Sequence, residues 1–223
     1  SWFVARGMNK NYVYNFAYFL EKPKINNSLS SSNDLKDKSI YRFIFVGRLI
    51  KLKKVDLLIK AVAALKLSNI EIWIIGSGPE EKNLRKLSNL LLPSKVKWFG
   101  ILPIKKVPNL ISQADCLVLP SRYDGWGAVV CEALMVGTPA ICSSACGASS
   151  VVRASGVGSV FSVNNINDLK NSLQSQVKLG GWSINQRQQL VSWAQCLNSN
   201  SGADYLDRII NNNRNKSINE PWS

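Results

Sequence analysis

From residue 41 onward, short apolar runs alternate with longer stretches in which apolar residues recur every three or four positions. YRFIFVG is followed by VDLLIKAVAALK, IEIWIIG by EEKNLRKLSNLL, VKWFG by KKVPNLISQA, CLVLPS by AVVCEALMV, PAICSS by ASSVV, and GSVF by NINDLKNSLQSQV. The short runs are nearly continuous in apolar residues, as strands buried on both faces are, and the stretches between them carry a helical period. Repeated β-α units of this kind predict an α/β fold with a doubly wound parallel sheet over about residues 39–180. Ligands of such sheets bind beyond the carboxyl ends of the strands, so the strand-to-helix loops are where chemistry is expected.

The flanks differ. Residues 1–38 open on the aromatic SWFVARGMNKNYVYNFAYFL and close on KINNSLSSSNDLKDK, whose composition is that of a linker. Residues 181–223 carry Trp182, Trp193, a last helix predicted at ADYLDRII, and an Asn-rich end, NNNRNKSINEPWS, expected to fray. No apolar stretch reaches the roughly 18 residues of a spanning helix, and the opening lacks a small-residue cleavage site, so neither a membrane span nor a signal peptide is expected. The chain starts at Ser1 rather than Met, and the native start is expected upstream.

Composition narrows the class. With 46% hydrophobic and 19% charged residues in 223, the chain suits a soluble globular protein with a sizeable core. Cys116, Cys131, Cys142, Cys146 and Cys196 are odd in number and mostly lie in apolar runs, which fits reduced thiols in a cytoplasmic setting. With no histidine, a zinc site would need four of them. The net charge of +14 implies an anionic partner, and Arg42, Arg48, Lys51, Lys53 and Lys54 fall within thirteen residues free of acid.

Four loops stand out. In VGRLIKLKKVD, Gly47 ends a strand, and Arg48 and Lys53 follow close to a helix start; a guanidinium and an ammonium there suit a diphosphate, or are simply a basic surface loop. In IIGSGPEEKNL, Gly76 and Gly78 give half of a dinucleotide fingerprint. Glu81 sits where its third glycine belongs, and Lys97 and Trp98 supply no ribose acid, so a nicotinamide cofactor is not expected; a tight turn with close backbone approach to a ligand remains. In SRYDGWGAVVCEAL, Gly125 and Gly127 turn the chain into a helix whose free N–H groups can receive phosphate. Glu132, about one turn in, can accept from ribose hydroxyls or be a solvated carboxylate; Asp124 can contact a sugar or be a turn residue. SSACGASSVVR, with Gly147, reads as a flexible turn.

The succession FVGRL, Lys53, IIGSGPE, VKWFG, ADCLVLPS, DGWG, CEAL and GTPA resembles the donor-binding half of retaining nucleotide-sugar glycosyltransferases of the GT-B fold, glycosyltransferase family 4, also called glycosyl transferases group 1. The resemblance covers about residues 40–162, and its most specific element is the acid-x7-acid spacing of Asp124 and Glu132. It implies a Rossmann-like domain, the C-terminal half of such an enzyme. Arg48 and Lys53 would hold the donor diphosphate, Glu132 the ribose and Asp124 the transferred sugar. Main chain at Gly125, Trp126, Gly127, Ala128 and Val129 would meet sugar and phosphate, and Gly47, Gly76, Gly78 and Ile101 would line the nucleotide. Arg48, Lys53 and Asp124 would be the catalytic set, with no metal and no cofactor beyond the UDP- or GDP-linked co-substrate. The acceptor would be a sugar or a lipid-linked sugar in polysaccharide or glycolipid assembly.

Departures from that pattern shape further expectations. Asp124 stands where glutamate is usual, Lys54 where glycine is common, and Ser150 where a glutamate is frequent. Only 38 residues precede the first strand, where the family has an acceptor-binding domain of similar size; GMNKNYVYNFAYFLEKP resembles the link leaving it, so donor binding without efficient transfer is expected. An epimerase of the same architecture would depend on histidines, and a phosphorylase on a lysine-bound cofactor and a much longer chain. A non-catalytic nucleotide-sugar-binding module is the remaining alternative. Nucleic acid is not an expected partner, since there is no basic helix, RNA-binding aromatic motif or zinc pattern. The surplus positive charge suggests a peripheral place at an anionic membrane face.

Overall fold

The computed structural model describes residues 2–23, 39–211 and 218–223. A short helix, α1 (Trp2–Ala5), precedes the sheet region. There follow β1 (Tyr41–Val46), α2 (Val55–Ala63), β2 (Ile70–Ile75), α3 (Glu81–Leu91), β3 (Val96–Gly100), α4 (Val107–Gln113), β4 (Cys116–Leu119), α5 (Ala128–Met135), β5 (Ala140–Ser143), α6 (Ser149–Ala154), β6 (Ser159–Phe161) and α7 (Ile166–Leu179). Two more helices close the chain, α8 (Ile184–Trp193) and α9 (Ser199–Ile210).

The six strands are all parallel in the order β3-β2-β1-β4-β5-β6, so the predicted doubly wound sheet is present with its six units in place. Every residue of β2, β4 and β5 is buried, as is Tyr41–Phe45 of β1, which is why these runs show no alternation of apolar and polar positions. α2 packs beside α3, and α4 beside α5. α7 returns to pack on α2, while α5 packs against α4 and α8.

Polar residues at the amino ends of the central strands are structural. Glu71 on β2 accepts from Lys97 Nζ at 2.8 Å and Trp73 Nε1 at 2.5 Å, with Arg42 Nε at 3.4 Å. Burial pushes the Glu71 carboxyl up, but those hydrogen bonds and the two cations outweigh it and hold it below the usual carboxylate range. Arg42 is thereby removed from the basic cluster read in the sequence: it lies on β1 and faces β2.

The flanks correct two expectations. The chain end does not fray at Trp222, which is 5% exposed and sits among the rings of Trp126, Phe19 and Tyr205. Burying so large an apolar ring outweighs the polar composition around it. The tail also holds a helix absent from the sequence reading, α8, started by a capping box of Ser183 and Gln186. Its Leu190, with Ala194 and Leu197, joins the same core as the sheet. The N-terminal aromatics dock on the tail: Leu20 pairs with Asn198, and Phe16 stacks on Tyr205. The linker read at 24–38 and most of the Asn-rich stretch, 212–217, lie outside the described residues. No described helix is long and apolar enough to cross a membrane.

Candidate functional site

β1 and β4 are neighbours, yet the chain leaves β1 toward β2 and β4 toward β5. Connections that run off in opposite directions open a crevice at the carboxyl ends of these two strands. The loops that flank it are the two richest in candidate residues, and they are tied together across it. Lys53, the last residue of a 3₁₀ turn over Lys51–Lys53, places Nζ 2.5 Å from Asp124 Oδ2. Arg122 N–H donates to the Leu52 carbonyl at 2.8 Å. With side chains only 22% and 14% exposed, Lys53 and Asp124 each supply the counter-charge the other needs out of water.

The loop after β5, read as a flexible turn, is a clamp on this arrangement. Asp124 N–H donates to the Ala145 carbonyl and Gly147 N–H to the Asp124 carbonyl, both at 3.1 Å. The Trp126 carbonyl accepts from Ala148 N–H at 2.7 Å and from the Cys146 thiol at 3.0 Å. Gly127 lies under that thiol in the left-handed region, φ +86°, and a Cβ there would stand 2.5 Å from Cys146 Sγ and 2.8 Å from a Leu119 methyl. Glycine is therefore the residue that fits. From it α5 begins, and the N–H groups of Ala128 and Val129 have no acceptor among the described residues. They present the positive end of a helix beside the Lys53–Asp124 pair.

Glu132 lies one turn further along α5. Its carboxylate is half-buried and has no hydrogen-bonding or ionic partner among the described residues; burial alone raises its pKa above the ordinary value. A desolvated, unpartnered acceptor is suited to donors that the protein does not itself provide. Arg48 is exposed just past β1, and its guanidinium has no partner among the described residues. The structure thus joins Lys53, Asp124 and Gly127, leaves Glu132 unengaged among the described residues, and leaves Arg48 exposed just past β1. Ile101, 79% exposed, follows edge strand β3.

Three expected site residues also have packing roles within the chain. Gly76 and Gly78 do permit close backbone approach, but to the chain itself: a Cβ on Gly76 would stand 2.0 Å from the Gly47 carbonyl oxygen, and one on Gly78 2.4 Å from that of Leu49. These glycines seat the Gly47–Leu49 turn. The Trp126 indole donates to Cys131 Sγ at 3.4 Å and packs edge-on to Trp222, so the residue offers the crevice only main chain. Lys54, where the family resemblance favours glycine, has φ 52° and ψ 38°, a left-handed conformation that costs a side chain about 1–2 kcal/mol. Ser150 is in the first turn of α6 rather than in a loop. Cys146 and Gly147, the supports of the site, were not singled out in the sequence as site residues; a cysteine and a glycine flanking a turn carry no signal of which loop they touch.

The profile of the glycosyl transferases group 1 family matches residues 28–195. The chain belongs to that family. Among relatives of this glycosyltransferase-family chain is an uncharacterised glycosyltransferase of Methanocaldococcus jannaschii, 32% identical over 135 residues, which are 60% of this chain and 33% of the relative. Two solved structures share the fold. The lipopolysaccharide outer core galactosyltransferase WaaB, in its apo form, superposes with a TM-score of 0.72 at 19% identity over 93% of this chain and 57% of its own. Anabaena Alr3699/HepE, solved with UDP and glucose, has a TM-score of 0.66 at 19% identity over 81% of this chain and 51% of its own. The chain therefore spans about half, or less, of the length of these relatives.

Proposed function

We propose that this chain is the donor-binding half of a retaining glycosyltransferase that moves a sugar from a nucleoside diphosphate to a sugar or lipid-linked acceptor in polysaccharide or glycolipid assembly. The observation that carries the reading is the convergence of Lys53, Asp124 and the start of α5 at the sheet's switch point. Charge logic supports it. The leaving group is a nucleoside diphosphate, and its developing charge falls to the Lys53 ammonium, the Arg48 guanidinium and the free amides of Ala128 and Val129, groups fixed before the reaction begins. Glu132 accepts from the ribose hydroxyls. Asp124, once a phosphate takes over Lys53, is released toward the sugar. No step needs a metal. Where the acceptor is lipid-linked, the surplus positive charge draws the reaction to an anionic membrane face. The relative solved with UDP and glucose makes a uridine donor the first to try.

Calorimetric titration with uridine, guanosine and adenosine diphosphates tests the assignment. At least one should bind, and Lys53→Ala, checked for an intact fold by thermal melting, should weaken it by about tenfold or more, as expected for loss of a charge-assisted contact. Absence of binding by all of them, or equal binding to the folded Lys53→Ala protein, would refute it.

A further inference from the structure

Beside the Lys53–Asp124 pair, and not lined by either residue, is a hollow of about 750 Å³. Its walls come from the same two loops that flank the crevice: Lys51, Leu52 and Lys54 on one side and Arg122 on the other, joined through the Arg122 N–H to Leu52 carbonyl bond. Leu57 and Leu84, both buried, contribute apolar surface.

The charges in this hollow are not accounted for by the donor. Lys51 and Arg122 are exposed and have no acidic partner among the described residues. Of the two carboxylates on its rim, Asp56 is already taken by Lys54 at 3.5 Å and Lys60 at 3.2 Å. That leaves two unengaged cations facing one carboxylate, Glu80, in a concave space of the size that small ligands occupy. The donor diphosphate has Lys53, Arg48 and a helix start of its own. A second anion is what the surplus would hold.

We propose that this hollow is a subsite for a phosphate group, a monoester or diester, carried by the acceptor. Lys51 and Arg122 grip the phosphate oxygens, Arg122 through its planar fork, and Glu80 accepts from a hydroxyl of the same molecule. The word acceptor rests on the proposed transfer reaction; the phosphate site itself does not. The hollow shares with the crevice the two loops joined by the Arg122 N–H to Leu52 carbonyl bond, which keeps the anion on the donor's side of the domain.

Amide NMR of the full chain, titrated with glycerol phosphate at constant ionic strength, tests this. Saturable shifts are expected at residues 51–56 and 122, and Lys51→Ala/Arg122→Ala should weaken binding by about tenfold or more. Nucleoside diphosphate affinity should be unchanged in that double variant, whose altered side chains are exposed and unpartnered. Glu132→Gln should do the reverse, losing the nucleotide and keeping glycerol phosphate. Glycerol phosphate binding with no nucleotide binding would sink the transfer reading and leave the anion site standing. No saturable shifts, equal affinity in the double variant, or binding only to phosphatidylglycerol vesicles and not to the soluble phosphate would overturn the proposal.

Discussion

Glu132→Gln should make the protein more stable and worse at its work, and both changes can be sized from the site. The carboxylate is half-buried with no partner, and burial raises its pKa. An acid whose folded pKa lies above its unfolded one binds protons more tightly when folded, so ionisation at neutral pH subtracts from stability. That subtraction is complete above the folded pKa and vanishes below the unfolded carboxylate range, near about pH 4.3. Glutamine keeps the shape and removes the charge; relief at such functional sites is commonly about 0.5–2 kcal/mol. For a domain of this size each kcal/mol raises Tm by about 2–4 °C. Thermal melts monitored by circular dichroism should therefore show a gain at neutral pH that fades on acidification. Calorimetry of the same variant should show nucleoside diphosphate affinity falling about 10- to 150-fold, the equivalent of losing about 1.5–3 kcal/mol of charge-assisted hydrogen bonding. A variant that is less stable at neutral pH, or whose gain persists in acid, would mean that Glu132 is already satisfied within the fold. Unchanged nucleotide affinity would remove it from the ribose.

Two further outcomes concern stability alone. Lys54→Gly should raise Tm, because relief of the left-handed backbone, about 1–2 kcal/mol, exceeds the extra chain entropy of glycine, about 0.5–1 kcal/mol, and the weak surface pair with Asp56; a lower melting temperature would refute this. Glu71 has the opposite sign to Glu132: its pKa is depressed, so its contribution is present above the unfolded carboxylate range and lost as pH falls through the folded value. Urea unfolding of wild type and Glu71→Gln should differ most at neutral pH and converge in strong acid, whereas a constant gap across pH would contradict the charge network around it.

The sheet was legible because its strands are buried on both faces, and a run such as IEIWII admits few other readings. Lys53, Asp124 and Gly127 were legible as candidates because cations, a carboxylate and a helix-opening glycine fall in strand-to-helix loops. What the chain could not disclose was which loop touches which. Gly76 and Gly127 look alike in sequence, each a glycine after a strand, yet one seats a turn of the protein's own backbone and the other starts a helix at the crevice. The distinction lies in neighbours remote in sequence, Gly47 for Gly76 and Cys146 for Gly127. Trp222 was misjudged for the same reason, since the burial of its ring is created by Trp126, Tyr205 and the N-terminal Phe19. Short-range patterns encode elements, and tertiary contact decides use.

The aspartate at position 124 follows from the same reasoning. Under the proposed function the crevice must hold its cation ready before the diphosphate arrives, and a half-buried charge without a counter-ion is costly to the fold. Asp124, at 2.5 Å, holds the Lys53 ammonium across the switch point, while the clamp from Ala145 and Gly147 fixes the aspartate main chain. An incoming phosphate then exchanges one anionic partner of Lys53 for another instead of desolvating a free cation, so much of the cost of binding is met in the folded protein. In the proposed reaction the carboxylate displaced in that exchange is left without its cation beside the pyrophosphate, and the groups that would satisfy it are the hydroxyls of the sugar that the donor carries.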